Sequence, residues 1–399
     1  MTELSAEVQK FHDVEAAVNS RIVEREEEAR TGVIALLAKV HHYQGGPPGI
    51  AKSLLATTFS DLIADASHYE NLMTRQTKLE EIFGPISFKG LEDDRVRFNV
   101  DEFLPTADIA FLDEIFKSSS STLNALLWIL NERKYRNDGA IHESPLITMF
   151  CASNELPQGD ELNALYDRIH FRHWLSPIQE GKSFHKMLKA QGSPRSEPMV
   201  TLAELKAANL AVKEIEVRDE VYKTLWSLRK ELLKEGIEVS DRKFAEGLKI
   251  VKASAWYRGA TEARNSDIRL LHHTLWTSLD AEERVTVEKI VTAAANPLDE
   301  EAMKLRNEVQ KLSAEASEAA SNKLNATMKI RQGVQLQEKL TAANADMTKL
   351  KDKMTKADVE SELIPQIETS LKGLATKVLK EFFEEKESAK DLKDEADNV

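Results

Sequence analysis

Eight residues near the start of the chain, Gly46-Pro47-Pro48-Gly49-Ile50-Ala51-Lys52-Ser53, run directly into an apolar helical stretch from Leu54, and they constrain the fold more than any other feature. A loop of this composition ahead of a helix curls its backbone N–H groups around an anion, because the first N–H groups of a helix lack partners within it and its dipole favours negative charge. In such a loop Lys52 reaches the terminal phosphates of a nucleotide and the Ser53 hydroxyl joins the shell of a bound Mg2+. Gly46, Pro47, Pro48, Gly49, Ile50, Ala51, Lys52, Ser53 and Leu54 are therefore the candidate nucleotide-contacting residues. Ala51 stands where loops of this kind ordinarily have a second glycine, and it is expected to be tolerated through a backbone that is already helical there. A Pro/Gly turn before a helix also arises by chance, so the loop needs corroboration.

Corroboration comes about sixty residues later, where the apolar run Ile109-Ala110-Phe111-Leu112 ends in Asp113-Glu114. A buried strand that delivers two carboxylates at its end suits ATP chemistry: Asp113 holds Mg2+ through water, and Glu114 polarises the water that attacks the γ-phosphate. An isolated strand ending in a solvated acidic turn is common, but not at this distance from a phosphate loop. A third apolar run, Leu146 to Ala152, ends at Ser153-Asn154, and a parallel sheet would bring Asn154 beside the other strand ends, where it orients the attacking water. Read alone, Asn154 is equally a turn former. Arg168 closes the helical stretch Ala164 to Arg168 and is the candidate for a cation donated to a neighbouring subunit's nucleotide, with a surface ion pair as the alternative.

The alternation of strand-length apolar segments with helical patterns from Gly45 to about Leu175 indicates an α/β domain around a largely parallel sheet. Residues 134–146 read as a hairpin, since Asn137, Asp138 and Gly139 supply turn chemistry. A Gly, Ser and Pro cluster at 192–198 marks a boundary, and helical patterns follow to about Trp276. After Pro297 the only aromatics are Phe382 and Phe383. Apolar residues there recur in steps of four and three, at Leu305, Val309, Leu312, Ala316 and Ala319 and again at Leu340, Ala343, Met347, Leu350 and Met354, which predicts the seam of a coiled coil or helical hairpin. Gly333 and Pro365 are the expected interruptions, and the last dozen residues are expected to fray. The domains expected are 1–190, 191–298 and 299–399.

A net charge of −13 with no conspicuous cluster of Lys and Arg disfavours DNA or RNA as a substrate. No apolar run approaches the roughly 18 residues that span a bilayer, and the first residues lack the pattern of an export signal. Cys151 is the single cysteine, which fits a reducing compartment, and a cytoplasmic location is expected. His41 and His42 are adjacent on an expected strand, so they point to opposite faces, and no further ligand accompanies them in sequence; no metal is expected there.

These elements, in this order, resemble the AAA+ superfamily. The linking text resembles its MoxR group, the RavA-like branch in particular, over residues of about 15–280. The resemblance rests on Leu72 to Arg75, Glu80 to Pro85, Phe111 to Ile115, Asn131-Glu132-Arg133, Ala152 to Pro157, and Ala164 to Arg168. It implies an α/β P-loop AAA+ core with an all-α lid, the C-terminal helical extension lying outside the match. It assigns the Walker A, Walker B, sensor 1 and arginine-finger roles to the segments already named, and it implies an insert near 84–104 and a hairpin near 133–145 that face a ring pore or partner. Ser240-Asp241-Arg242-Lys243 is similar to the family's sensor 2 region, so Arg242 would reach the γ-phosphate from the lid; read from its own residues, it is an arginine opening a helix capped by Ser240 or Asp241. Residues 39–45 are shorter and more polar than the strand the family places before its P-loop, which implies a truncated strand.

The resemblance further implies a ring-forming ATPase, hexameric, using ATP and Mg2+ to remodel a protein client, one with a von Willebrand A domain among the candidates. The alternative is a nucleotide-switched scaffold whose coiled coil does the work.

Overall fold

The computed structural model describes residues 5–92, 94–155, 165–190, 196–277, 281–321, 326–356, 361 and 363–382. The strands up to Trp174 are β1 (His42–Gly45), β2 (Ile63–Ala64), β3 (His68–Leu72), β4 (Ile109–Asp113), β5 (Lys134–Asn137), β6 (Ala140–Glu143), β7 (Thr148–Ser153) and β8 (Phe171–Trp174), and three two-residue strands follow at Val200–Thr201, Glu216–Val217 and Glu262–Ala263. Five of them form one parallel sheet in the order β3-β4-β7-β1-β8. Every strand end that carries chemistry therefore emerges at the same edge: the loop after β1, Asp113 closing β4, and Asn154 following β7. The short β1 is complete, pairing along all four residues with β7 on one side and β8 on the other.

Two helices precede the phosphate loop. In α1 (Ala6–Arg21) the Ser5 hydroxyl caps the first turn by accepting from Val8 N, and Val8, Phe11, Val14 and Val18 form the buried stripe. In α2 (Glu26–Ala38) three glutamates occupy the first turn, where the helix dipole favours them, and the run from Thr31 to Ala38 is buried all round. The loop leads into α3 (Lys52–Leu62). Then come α4 (Leu79–Phe83), α5 (Phe88–Glu92), α6 (Ser120–Glu132) and α7 (Gly181–Lys189). The region expected as an insert carries α5 and a bridge between Ile86 and Phe98, and it leaves Phe88 and Val96 exposed. β5 and β6 form the expected hairpin, with Asp138 and Gly139 both at positive φ, as a two-residue turn of this kind requires.

Helices α8 (Leu202–Glu214), α9 (Asp219–Lys234) and α10 (Asp241–Tyr257) lead to a 3-10 helix at Asn265–His273, followed by α11 (Ala281–Ala295). Asn209 on α8 donates to the carbonyls of Leu36 and Leu37 at 2.8 and 2.9 Å, so the unpaired end of α2 is satisfied by a residue far along the chain. Residues up to Val291 form one compact unit and those from Thr292 a second. Among the described residues no helix is long and apolar enough to cross a membrane.

The second unit departs from the expected seam. It holds three helices, α12 (Pro297–Ser321), α13 (Ala326–Lys356) and α14 (Leu363–Phe382), each packed on the other two. Leu305, Val309 and Leu312 of the first pack in one core with Leu340, Met347 and Leu350 of the second and Ile367, Leu371 and Leu374 of the third. Gly333 does not interrupt its helix. It is buried within α13, in register with Leu336, Leu340 and Ala343, and so continues the seam. Pro365 lies in the first turn of α14, where a missing N–H leaves no helical bond unmade. The residues expected to fray lie outside those described.

Two backbone positions in the first unit make opposite predictions. A Cβ on Gly32 would lie 2.3 Å from the ring of Phe59, which is fully buried and stacked on Phe150. Gly32→Ala is expected to lower stability by about 1–3 kcal/mol, overpacking outweighing the helix propensity gained; an unchanged urea midpoint would refute this packing. Ala51 corrects the expectation of a helical backbone, since it sits at φ 70°, ψ 24° in the left-handed region. Ala51→Gly removes that strain and should raise stability by about 1 kcal/mol; a loss measured in the same denaturation experiment would contradict the assigned conformation.

Candidate active site

The phosphate loop leaves the C-terminal end of β1 at Gly46, whose φ of 142° and close approach to the Leu175 carbonyl leave no room for a Cβ. Ile50 folds back over Gly46, and the chain turns through Gly49 and Ala51, both at positive φ, into α3. Lys52, on the first turn, is buried; its ammonium donates to the Gly46 carbonyl, to Pro47 O at 3.1 Å and to Asn154 Oδ1. Burial draws the ammonium below its ordinary pKa, while the carboxylates of Glu114 and Asp113 act in the opposite sense.

Ser53 Oγ donates to Asp113 Oδ2 at 3.2 Å. A hydroxyl and a carboxylate that already meet are the hard oxygen donors Mg2+ takes, directly or through water, so the residues present fit that ion. Glu114 follows at φ 53°, a left-handed conformation that turns its side chain back across the strand ends. Its carboxylate is buried and well supplied with donors: Ser153 Oγ at 3.4 Å, the Asn154 backbone N–H at 3.3 Å, the Asn154 side-chain amide, and the Lys117 ammonium at 3.4 Å. Asn154 thus bridges Lys52 and Glu114, accepting from one and donating to the other.

One cleft of about 590 Å³ collects these groups, lined by Pro48, Gly49, Ala51, Lys52, Ser53 and Leu54 on the loop side and by Asp113, Glu114 and Asn154 on the sheet side. Arg21 from the end of α1, with Met187 and Ala190 from α7 and its cap, completes the wall. Sequence reasoning missed these three, since nothing in an arginine at a helix end or a methionine in an exposed amphipathic helix refers to a distant loop.

Arg168 and Arg242 do not line this cleft. Both line a second cavity of about 270 Å³, together with Lys39 and His41 ahead of β1 and His170 ahead of β8, which puts it at the opposite end of the parallel sheet. Ser240 caps α10 by accepting from Lys243 N, and Asp167 lies between the two arginine segments, 3.8 Å from Arg242 and 3.3 Å from Ser240 Oγ. The Arg168 guanidinium is drawn below its ordinary pKa by burial first and by Arg242 second. Lys213, Lys249 and Lys252 join the lining, so the fold assembles a cationic cluster that the linear sequence does not display.

Two further arginines hold the frame. Arg133 donates to the carbonyls of Lys39 at 2.9 Å and Ile147 at 3.3 Å, tying together the segments that enter β1 and β7. Arg172, fully buried on β8, stacks 3.8 Å from the Tyr166 ring centroid and donates to Trp276 O at 2.7 Å, fastening the sheet to the helical region that follows it.

Residues 9–215 match the family model described as the MoxR domain in the MoxR-vWA-beta-propeller ternary systems, and residues 220–291 match an AAA lid domain. Two uncharacterized proteins of Methanocaldococcus jannaschii are similar. One is 36% identical over 301 residues, covering 75% of this chain and 78% of that protein. The other is 34% identical over 361 residues, covering 89% and 95%. A crystal structure from Cytophaga hutchinsonii, described provisionally as that of an ATPase, shares the fold with a TM-score of 0.59 at 16% identity, over 72% of this chain and 94% of that one. The family match runs from α1 through the loop, the acidic strand end and Asn154 to the helices beyond, and on these grounds the chain belongs to the MoxR-type AAA+ ATPases.

Proposed function

We propose that this protein binds Mg-ATP in the cleft at the C-terminal strand ends and hydrolyses it to ADP and phosphate within a ring of subunits, hexameric by family resemblance. The observation that carries the proposal is the convergence of Lys52, Ser53, Asp113, Glu114 and Asn154 in one cleft. Lys52 neutralises the terminal phosphates, and Ser53 and Asp113 hold the metal ion that spreads the charge developing on them. Glu114 accepts the proton of the attacking water. Asn154, bonded to both Lys52 and Glu114, sets the distance between phosphate and base, so that binding a nucleotide exchanges the Lys52–Asn154 contact for one to phosphate and leaves the Asn154 carboxamide to orient water.

Among the described residues the arginine that lines the cleft is Arg21, and Arg168 and Arg242 do not line it. Arg168 and Arg242, together on the cavity at the other end of the sheet, suit a neighbouring subunit's nucleotide, which makes turnover depend on assembly.

The work done with that turnover is, in this reading, the remodelling or assembly of a partner protein in the cytoplasm, along the lines of the RavA-like branch. The family description, which names von Willebrand A and beta-propeller components, supports a von Willebrand A protein as the partner. The rival reading, a scaffold joined through its C-terminal seam, is weakened by the burial of that seam inside a three-helix unit of the same chain.

Lys52→Ala is expected to weaken nucleotide binding, whereas Glu114→Gln keeps binding, lowers turnover by a factor on the order of 10² to 10⁴ and traps an ATP-bound assembly of several subunits in light scattering. Equal loss of binding in both variants would contradict the division of roles. Arg168→Ala is expected to lower turnover by a factor on the order of 10³ to 10⁵ while binding ATP normally, and mixing it with Lys52→Ala subunits should restore activity. Mixed rings that stay inactive would refute action between subunits.

A further inference from the structure

Away from both cavities, four imidazoles form a continuous file. His42 on β1 stacks on His173 of β8 with ring centroids 5.0 Å apart, His173 meets His273 at 4.3 Å, and His273 meets His272 at 3.7 Å. At the inner end Thr31 engages two of the rings, while His42 Nδ1 has no partner among the described residues. Thr31 Oγ1 donates to the Glu27 carbonyl at 2.8 Å, so its lone pairs are left to accept from His42 Nε2 at 3.1 Å and His173 Nε2 at 2.8 Å. The other nitrogen of His173 faces Glu28 at 3.6 Å.

The outer end is different. One ligand atom each from Glu27, His272 and His273 lies within 4.8 Å of the other two. His272 Nδ1 lies 2.7 Å from the Arg269 carbonyl, which can only accept, so Nδ1 carries the proton and Nε2 presents a bare lone pair. That backbone bond is the kind that orients a metal-binding histidine and sets its tautomer. His273 is clamped between two other imidazoles, its side chain 12% exposed, with Nε2 3.5 Å from Glu27 Oε2; the Glu27 side chain, 70% exposed, is free to swing toward it.

We propose that Glu27, His272 and His273 form a binding site for a divalent transition metal, Zn2+ in the first instance, that pins the 3-10 helix at 265–273 to the first turn of α2. Two imidazoles and one carboxylate are a recurrent zinc ligand set, with a water in the fourth position. Zinc bonds of about 2.0–2.2 Å put tetrahedral ligand atoms roughly 3.4 Å apart; Glu27 and His273 already stand 3.5 Å apart, and the closure required is the approach of His272 to that pair from within 4.8 Å. The two anchoring segments belong to different parts of the family match, α2 to the MoxR domain and His272 and His273 to the lid. Through the stacked file the metal also bears on β1, the strand that delivers the phosphate loop. Occupancy would therefore restrain the lid relative to the nucleotide cleft, a role independent of which partner the ATPase serves.

The test is a titration of the full-length protein with Zn2+ against a chromophoric chelator, without nucleotide or Mg2+, followed by Co2+ substitution to read coordination from the visible spectrum. One equivalent is expected to bind, with a four-coordinate Co2+ spectrum. Glu27→Gln, His272→Gln and His273→Gln should each weaken binding about tenfold or more. Asp113→Asn, at the Mg2+ position, should leave it unchanged. Glu27 is exposed, so its variant keeps the test informative even if a histidine variant fails to fold. The absence of saturable binding would overturn the proposal, and so would binding that Glu27→Gln and His272→Gln retain at full strength, which would locate the metal elsewhere.

Discussion

His42 to Gly45 hydrogen-bond to β7 along one edge and to β8 along the other, and these two parallel ladders hold the phosphate loop where it is. The strand is polar and lies inside the sheet, so its side chains need hydrogen-bond partners, and most find them, although His42 Nδ1 and Gln44 Oε1 have none among the described residues. His41 accepts from the Met149 N–H at Nδ1 and lies 3.0 Å from the Leu130 carbonyl at Nε2, on one face; His42 reaches Thr31 on the other. Removing water from these imidazoles holds both well below their ordinary pKa, so the strand enters the core uncharged. Loosening it would misplace Gly46, Lys52 and the start of α3 together.

The cleft depends on that placement for its electrostatics. A carboxylate as buried as Glu114 would be costly without donors, and it has them from Ser153, Asn154 and Lys117. The same contacts fix its orientation, as the proposed role of a general base requires, since such a base must lie within hydrogen-bond reach of the water it activates. Asn154 serves both halves of the site because β7 lies between β1 and β4 in the sheet. Sequence order gives no hint of that neighbourhood: β7 follows β4 by thirty-odd residues and β1 by more than a hundred.

The two ends of the sheet have different chemistry. At the C-terminal strand ends the carboxylates and the loop surround the nucleotide cleft; at the N-terminal ends Lys39, Arg168, Lys213, Arg242, Lys249 and Lys252 surround the second cavity. Cations held this close in one cavity repel one another, and that repulsion contributes to the lowered pKa of Lys39 after burial itself. In an acidic protein this cavity is a local concentration of positive charge, with Glu246 also in its lining.

The phosphate loop, the Asp113-Glu114 pair, the Asn137 to Gly139 turn and the helical periodicity of the aromatic-poor C-terminal region were legible in the sequence because each is a local pattern: backbone turns, strand ends and helical seams are encoded by residues a few positions apart. The family resemblance was carried by the same local segments. Tertiary structure decided what depends on distant residues meeting. It put Ala51 in a left-handed backbone, took the seam of α13 into a three-helix core through Gly333, and brought Arg21 and Met187 to the nucleotide cleft. It separated Arg168 and Arg242 from that cleft, and it aligned His42, which in sequence has only His41 for company, with His173, His273 and His272. None of these follows from spacing along the chain, because burial, strand order and ring stacking are set by which elements pack together, and a linear sequence does not display that packing.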